Sequence, residues 1–295
     1  MPPLRSRPFC SELSATAGES LAGTASLVHH WLLVEYRGLW SPDALAGSGL
    51  SDQVKATLRR QAAALSHAKV LLIRRRERRD RASLAVFYAC SRPGQEALVR
   101  LDVAAYDELV DVDFAGSLVP GRLVDHPLFL VCTHGKHDRC CALFGKPLFD
   151  VLSDQAEEDW VWQVTHVGGD RFAGNVVVLP EGLYYGRVPS EEAWTLLDEH
   201  LARRIHLPRF RGRSVFPFGV QAAEIAVRER YGLVGIGSVD GERADDGTIH
   251  VALDGRRFEV ELRVEPGPLT YLTCSAERLR HPQRYVVESL RESDV

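Results

Sequence analysis

Two short segments of this 295-residue chain hold side chains able to bind a metal. The first is CTHGKHDRCC at 132–141, which opens at the end of an apolar run and closes at the start of a helix-like stretch. A strand end and the beginning of the next helix lie close together in an α/β unit, so Cys132 and Cys141 can converge. The helix N-terminus carries a partial positive charge that favours thiolate over thiol. Lys136 and Arg139 make the intervening loop cationic. The second segment is HVGGDRFAGN at 166–175. His166 ends the following strand, and Gly168 and Gly169 permit a tight turn that brings Asp170 back towards it. Two sulfur donors from one loop and two N/O donors from another suit either tetrahedral zinc or one asymmetric [2Fe–2S] cluster. His134, His137 and Cys140 lie in the same loop; the histidines read as loop residues facing solvent or backing the site, and Cys140 as a thiol that is a bystander or backs the site.

The elements that must position these residues follow from periodicity and turn signals. The Ser-, Ala- and Gly-rich stretch 10–25 reads as an extended lead-in, followed by a strand within 27–35. A helix over 51–65 has Ser51 as N-cap and Val54, Leu58, Ala62 and Leu65 on one face. Strands at 69–75, 83–90 and 97–103 and a short helical stretch near 104–110 close the first unit. The aperiodic segment 111–126 marks a boundary. The rhythm then repeats, with a strand at 128–134, a helix at 141–155 and strands at 160–166, 175–180 and 183–188. A closing helix over 190–204 is expected to bury Trp194, Leu197 and Leu201. The repetition of strand, helix, three strands and helix suggests an old duplication. Beyond Pro208 come a helix at 219–231 and strands at 248–253, 257–264, 269–275 and 284–290, with no chemical constellation. The glycines of GIGSVDG (235–241) do not follow the dinucleotide fingerprint and read as a loop.

Composition narrows the function classes. A net charge of −4 supplies no basic field for nucleic acid or an anionic membrane. No segment reaches the roughly 18 uninterrupted apolar residues of a membrane span. The N-terminus is basic but lacks an apolar stretch behind it, so a cytoplasmic location is expected. Thiols stay reduced there, and three of the six cysteines fall within ten residues, which favours a metal or redox site over a disulfide framework. Cys10, Cys90 and Cys274 are isolated and read as packing residues. The arginine-rich stretch 74–81 reads as a solvated hairpin end, with docking of an acidic redox partner as the sharper alternative.

The blocks FLVCTHGKHDRCCALFGKPL and WQVTHVGGDRFAGNVVVLPEGLYYGRV, and more loosely CSELSATAGESLAGTASLVHHWLLVE, carry a resemblance. The chain resembles the sucrase/ferredoxin-like family of thioredoxin-like ferredoxins, through its first two units and more thinly in the last. The resemblance implies a thioredoxin-like fold carrying a [2Fe–2S] cluster, held in better understood relatives by two cysteines and two histidines of an H-x-x-x-H motif. Cys132, Cys141 and His166 stand at those positions, and Asp170 stands where the second histidine would be. The expected architecture is α/β: a related, degenerate domain over 1–120, a thioredoxin-like ferredoxin domain over 121–207 and a small α+β region over 208–295. The expected function is one-electron transfer to or from a redox partner protein, with Cys132, Cys141, His166 and Asp170 holding the cluster. A zinc protein using the same site is the first alternative. A thiol redox protein is the second, disfavoured by the absence of C-x-x-C at the strand–helix junction.

Overall fold

A short helix α1 (Cys10–Thr16) leads into β1 (His30–Glu35), α2 (Asp52–Ala64), β2 (Ala68–Arg74), β3 (Leu84–Cys90) and β4 (Ala97–Val103). After the two-residue strand β5 (Arg122–Leu123), the rhythm recurs as β6 (Leu128–Cys132), α3 (Arg139–Gln155), β7 (Val161–Val164), β8 (Val176–Leu179), β9 (Leu183–Tyr185) and α4 (Ala193–Leu201). This computed structural model describes residues 8–77, 82–116 and 121–293. The basic start of the chain, part of the 111–126 segment and residues 78–81 of the arginine-rich stretch lie outside the described residues.

Both halves join one ten-stranded sheet that also takes in β10 (Phe210–Arg213), in the order β10-β9-β8-β6-β7-β2-β1-β3-β4-β5. Read outwards from its centre, the order is the same in both directions. β1 runs parallel to β2 and antiparallel to β3, as β6 runs parallel to β7 and antiparallel to β8. The equivalent strands β2 and β7 meet antiparallel at the centre, pairing Ile73 with Val164 and Arg74 with Gln163. The chain is thus α/β as expected, with the strands of both halves arranged in one common order within a single sheet. Trp31 and Trp162 are fully buried on a face shared by the halves, where the Phe87 ring meets Trp162 edge-on at 5.5 Å.

The last region consists of α5 (Phe218–Tyr231) and an antiparallel sheet of β11 (Val239–Arg243), β12 (Ile249–Leu253), β13 (Arg256–Pro266) and β14 (Gln283–Ser293). Val220, Ala223 and Val227 pack α5 on this sheet. Its other side is tied to the large sheet by the buried Glu224, which accepts from Arg213 at 3.1 Å and Arg228 at 2.9 Å. A buried carboxylate facing two guanidinium groups is compensated, whereas removing it would leave two buried charges. No helix among the described residues is long and apolar enough to cross a membrane.

Four local expectations are corrected. Residues 10–16 are helical, not extended. A seven-residue helix is too short to hold itself, and α1 is fixed from outside by Arg187, which donates to Ser14 Oγ at 2.7 Å and to the Glu19 carbonyl at 2.8 Å. The closing helix begins with a 3-10 turn at Ser190–Glu192, so α4 starts later, and its buried face differs from the expected one. Ala193, Leu196, Leu197 and His200 are buried, while Trp194 is 57% exposed. The stretch 269–275 forms no strand beyond an isolated bridge between Thr270 and Arg280. Part of the expected 235–241 loop belongs instead to β11, which pairs with β12.

Candidate metal centre

Cys132 is the last residue of β6, and Cys141 lies in the first turn of α3. Asp138 caps that helix by accepting the Cys140 N–H at 2.8 Å, which fixes where the turn begins. Gly145, one turn on, lets α3 lie against the strand end: a Cβ there would sit 2.0 Å from the Cys132 carbonyl oxygen. Both thiols are buried, at 1% and 0% exposure.

His166 follows β7, and the chain then turns through Gly168 (φ 113°) and Gly169 (φ 81°), which places Asp170 back over the histidine. Asp170 is 3% exposed. Its Oδ1 lies 2.9 Å from His166 Nδ1 and accepts from Cys141 Sγ at 3.4 Å. Donor atoms of Cys132, Cys141 and His166 lie within 4.8 Å of one another, as do those of His137, His166 and Asp170. Cys132, Cys141, His166 and Asp170 are thus brought together in one place.

The electrostatics are those of a poised ligand set. Cys132 is held well below the usual thiol value, chiefly by the hydrogen bond from Cys141 and against the effect of burial. Cys141, sharing its proton with Cys132 and buried, is pushed up. Burial acts to lower His166, yet Asp170 and Cys132 raise it to about 9. Burial acts to raise Asp170, and His166 outweighs it and lowers it. A cation binding here would displace the shared protons. The donor set, two soft thiolates with an imidazole and a carboxylate, fits an iron–sulfur cluster or zinc.

The loop histidines divide. His137 faces solvent at the rim and stacks on His166 with ring centroids 3.9 Å apart. His134 is buried at 1% exposure, not solvent-facing. Its Nε2 lies 2.8 Å from the Ser41 carbonyl, which only accepts, so Nε2 carries the proton and Nδ1 receives the His166 backbone N–H at 3.3 Å. Burial lowers His134, which keeps it neutral for this task. His134 therefore positions His166.

Several positioning groups were not singled out from sequence. The Val167 carbonyl accepts from Lys69 Nζ at 2.9 Å, Ser26 Oγ at 3.0 Å and Tyr184 Oη at 3.1 Å. Arg211, fully buried and lowered to about 10 by burial, donates to the Gly168 carbonyl at 3.1 Å and to Asn175 Oδ1 at 2.7 Å. Asn175 in turn donates to the Gly169 carbonyl at 2.9 Å. Burial lowers Lys69 to about 8. The one available signal was the rarity of lysine, present only at 55, 69, 136 and 146.

Two cysteines read as isolated packing residues do pack in an apolar cluster, but they are not isolated. Cys10 and Cys274 converge on Cys140, with Sγ separations of 3.5 and 3.1 Å. Cys90 stays apart, buried at the end of β3. Arg75 and Arg76, in the described part of the arginine-rich stretch, pair with acidic residues of the same chain: Arg75 with Glu35 at 3.2 Å and with Asp159, and Arg76 with Asp154.

A family model described as Sucrase/ferredoxin-like matches residues 21–212, a span that includes all four side chains of the site. Altered inheritance of mitochondria protein 32 of Meyerozyma guilliermondii is 37% identical over 95 residues, 29% of this chain and 34% of that protein. The protein of the same name from Debaryomyces hansenii is 35% identical over 81 residues, 24% of this chain and 30% of its own. The matched stretch therefore spans about a third of the length of these curated relatives. A cysteine-to-serine variant of the thioredoxin-like [2Fe-2S] ferredoxin from Aquifex aeolicus aligns over 30% of this chain and 99% of its own, at 17% identity and a TM-score of 0.27. The wild-type ferredoxin aligns over 27% and 88%, at 19% identity and a TM-score of 0.24.

Proposed function

The chain belongs to the sucrase/ferredoxin-like family, and from that premise we propose that it is a one-electron carrier whose [2Fe–2S] cluster is held by Cys132, Cys141, His166 and Asp170. The observation that carries this reading is the convergence of two buried thiols with a histidine and a buried carboxylate from a second loop. A cluster bound there supplies a centre that changes charge by one unit, with a potential set by its ligands, hydrogen bonds and exposure.

The chain's own residues set those conditions. One carboxylate beside two thiolates and an imidazole gives a donor charge between the four-thiolate plant-type sites and the two-histidine Rieske sites. His134 and the carbonyls gripped by Lys69, Arg211 and Asn175 hold the 166–170 turn in place before any ligand arrives. Cys132 and Cys141 are shielded from water, whereas the His166 side chain keeps 24% of its exposure. A groove of about 320 Å³ lined by Lys69, His134, His137, His166 and the 42–45 loop opens beside it. Electrons enter and leave at this edge, where a redox partner protein docks. Six free cysteines suit a reducing compartment such as the cytoplasm.

Anaerobically purified protein should show a visible absorption that bleaches on reduction and a paramagnetic signal in the reduced state only. A colourless, diamagnetic protein would overturn the reading. One observation favours zinc as the second reading: donor atoms of Cys132, Cys141 and His166 within 4.8 Å of one another suit a single ion with Zn–S near ~2.3 Å and Zn–N near ~2.0 Å.

A further inference from the structure

Three cysteines meet on the opposite side of the α3 N-terminus. Cys10 comes from α1, Cys140 from the first turn of α3 and Cys274 from the segment between β13 and β14. Their Sγ atoms form a triangle with sides of 3.5 Å (Cys10–Cys140), 3.1 Å (Cys140–Cys274) and 3.7 Å (Cys10–Cys274). Cys10 and Cys140 are buried, Cys274 partly so, and Phe9, Phe144, Tyr271 and Ala173 surround them. Asp138, 3% exposed, spans the group. Its Oδ1 accepts the Cys140 N–H at 2.8 Å and its Oδ2 the Cys274 N–H at 2.6 Å. A carboxylate oxygen and the three sulfurs lie within 4.8 Å of one another.

Two simpler readings fit less well. Apolar packing and helix capping account for the buried carboxylate, which accepts two backbone N–H groups, but not for the meeting of three sulfurs from three distant segments beside it. A disulfide needs sulfurs at about 2.05 Å and would leave the third cysteine idle. The triangle is closer to that of ligands sharing one ion: with metal–sulfur bonds near 2.3 Å, tetrahedral geometry separates the sulfurs by about 3.8 Å, a spacing the three reach by opening slightly.

We propose that Cys10, Cys140 and Cys274 form a second, structural zinc site, with Asp138 supplying the fourth, oxygen ligand. Three soft thiolates and one carboxylate oxygen are donors that zinc accepts, and three of the four residues are buried. The three thiol protons leave to solvent as the ion binds. The excess negative charge faces the N-terminus of the 17-residue helix α3, whose free N–H groups and dipole offset it. The ion would bind α1 and the loop before β14 to the helix that presents Cys141. Chain segments 130 and 134 positions apart would be joined at one point. The proposal does not depend on what fills the first centre.

Metal analysis of the full-length chain, purified anaerobically, tests this. Wild type should carry one zinc equivalent that Cys10→Ser and Cys274→Ser both lose while keeping the metal of the first centre. Cys132→Ser should keep that zinc. Because the reading is a difference of one equivalent between variants, it stands or falls separately from the identity of the first metal. To guard against variants that misfold, cobalt(II) is added to metal-free Cys132→Ser protein, in which the second cluster is intact. Thiolate-to-cobalt charge transfer and intense tetrahedral bands are expected. No zinc in wild type and no such bands in Cys132→Ser would overturn the site, as would a Cys140–Cys274 disulfide in peptide mapping of freshly isolated protein.

Discussion

Cys140 and Cys141 are consecutive in sequence and face different clusters. Cys140 Sγ lies 3.1 Å from Cys274 Sγ, whereas Cys141 Sγ lies 3.4 Å from Asp170 Oδ1. Successive side chains on an α-helix diverge by about 100°, so the first turn of α3 can serve a site on each side. Only Cys141 shares its cluster with Cys132, His166 and Asp170. Accordingly, Cys132→Ser and Cys141→Ser should each lose the iron, and Cys140→Ser should keep it. Iron content and colour of the three variants decide the matter. A colourless Cys140 variant beside a coloured Cys141 variant would reverse the assignment.

Asp170 can be examined through its charge. Its replacement by histidine restores the H-x-x-x-H pattern and removes a negative charge beside the redox centre. At an effective dielectric near 20, a unit charge about 4 Å away is worth about 4 kcal/mol. At about 2.3 kcal/mol per 100 mV, the shift is on the order of 100 mV. It should be upward, because reduction adds negative charge to a less negative site. Asp170→His should retain the cluster and Asp170→Ala should make it labile. Unchanged iron and potential in Asp170→Ala would reduce the carboxylate to a cap of the glycine turn.

The metal-free protein should show a pH signature of the His166–Asp170 pair. His166, 24% exposed, is raised from 6.5 to about 9 in the folded state, burial opposing and Asp170 and Cys132 prevailing. A raised basic pKa contributes stability that is complete below 6.5 and is lost as pH rises through about 9. The full contribution is on the order of 3 kcal/mol. Denaturant titrations of metal-free wild type should therefore show stability falling across this window relative to His166→Gln. Parallel curves for the two proteins would rule out the pair.

Gly145 offers a packing test. At an open helix position, glycine to alanine stabilises by about 1 kcal/mol. Here the new methyl would meet the Cys132 carbonyl at 2.0 Å, and such overpacking costs about 1–3 kcal/mol. Gly145→Ala should thus lower Tm and iron occupancy together, because α3 must lift away from the strand that carries Cys132. A higher Tm with full iron would show that α3 has room to move without disturbing the site.

What the sequence disclosed was local. Cys132 with Cys141, and His166 with Asp170, each sit within one short segment at a strand end, so strand and turn signals sufficed to pair them. The repeated rhythm was equally visible, and it reappears in a sheet whose order mirrors about β2 and β7. Non-local relationships were not legible. Cys10 and Cys274 approach Cys140 across 130 and 134 positions, with no pattern around either to announce it. The helix at 10–16 has little periodicity and depends on Arg187 for support. The spacing of Trp194, Leu197 and Leu201 reads as one apolar face, but α4 packs through Ala193, Leu196, Leu197 and His200, which leaves Trp194 and Leu201 outside. Arg211 gave no sign of burial, because a guanidinium enters a core only when tertiary partners such as Asn175 and the Gly168 carbonyl await it.

The central claim is tested most directly by iron and acid-labile sulfide analysis of wild-type protein prepared without oxygen. The account predicts roughly two irons and two sulfides per chain, both lost together in Cys132→Ser. Stoichiometric zinc at the Cys132 centre, with no acid-labile sulfide, would contradict it.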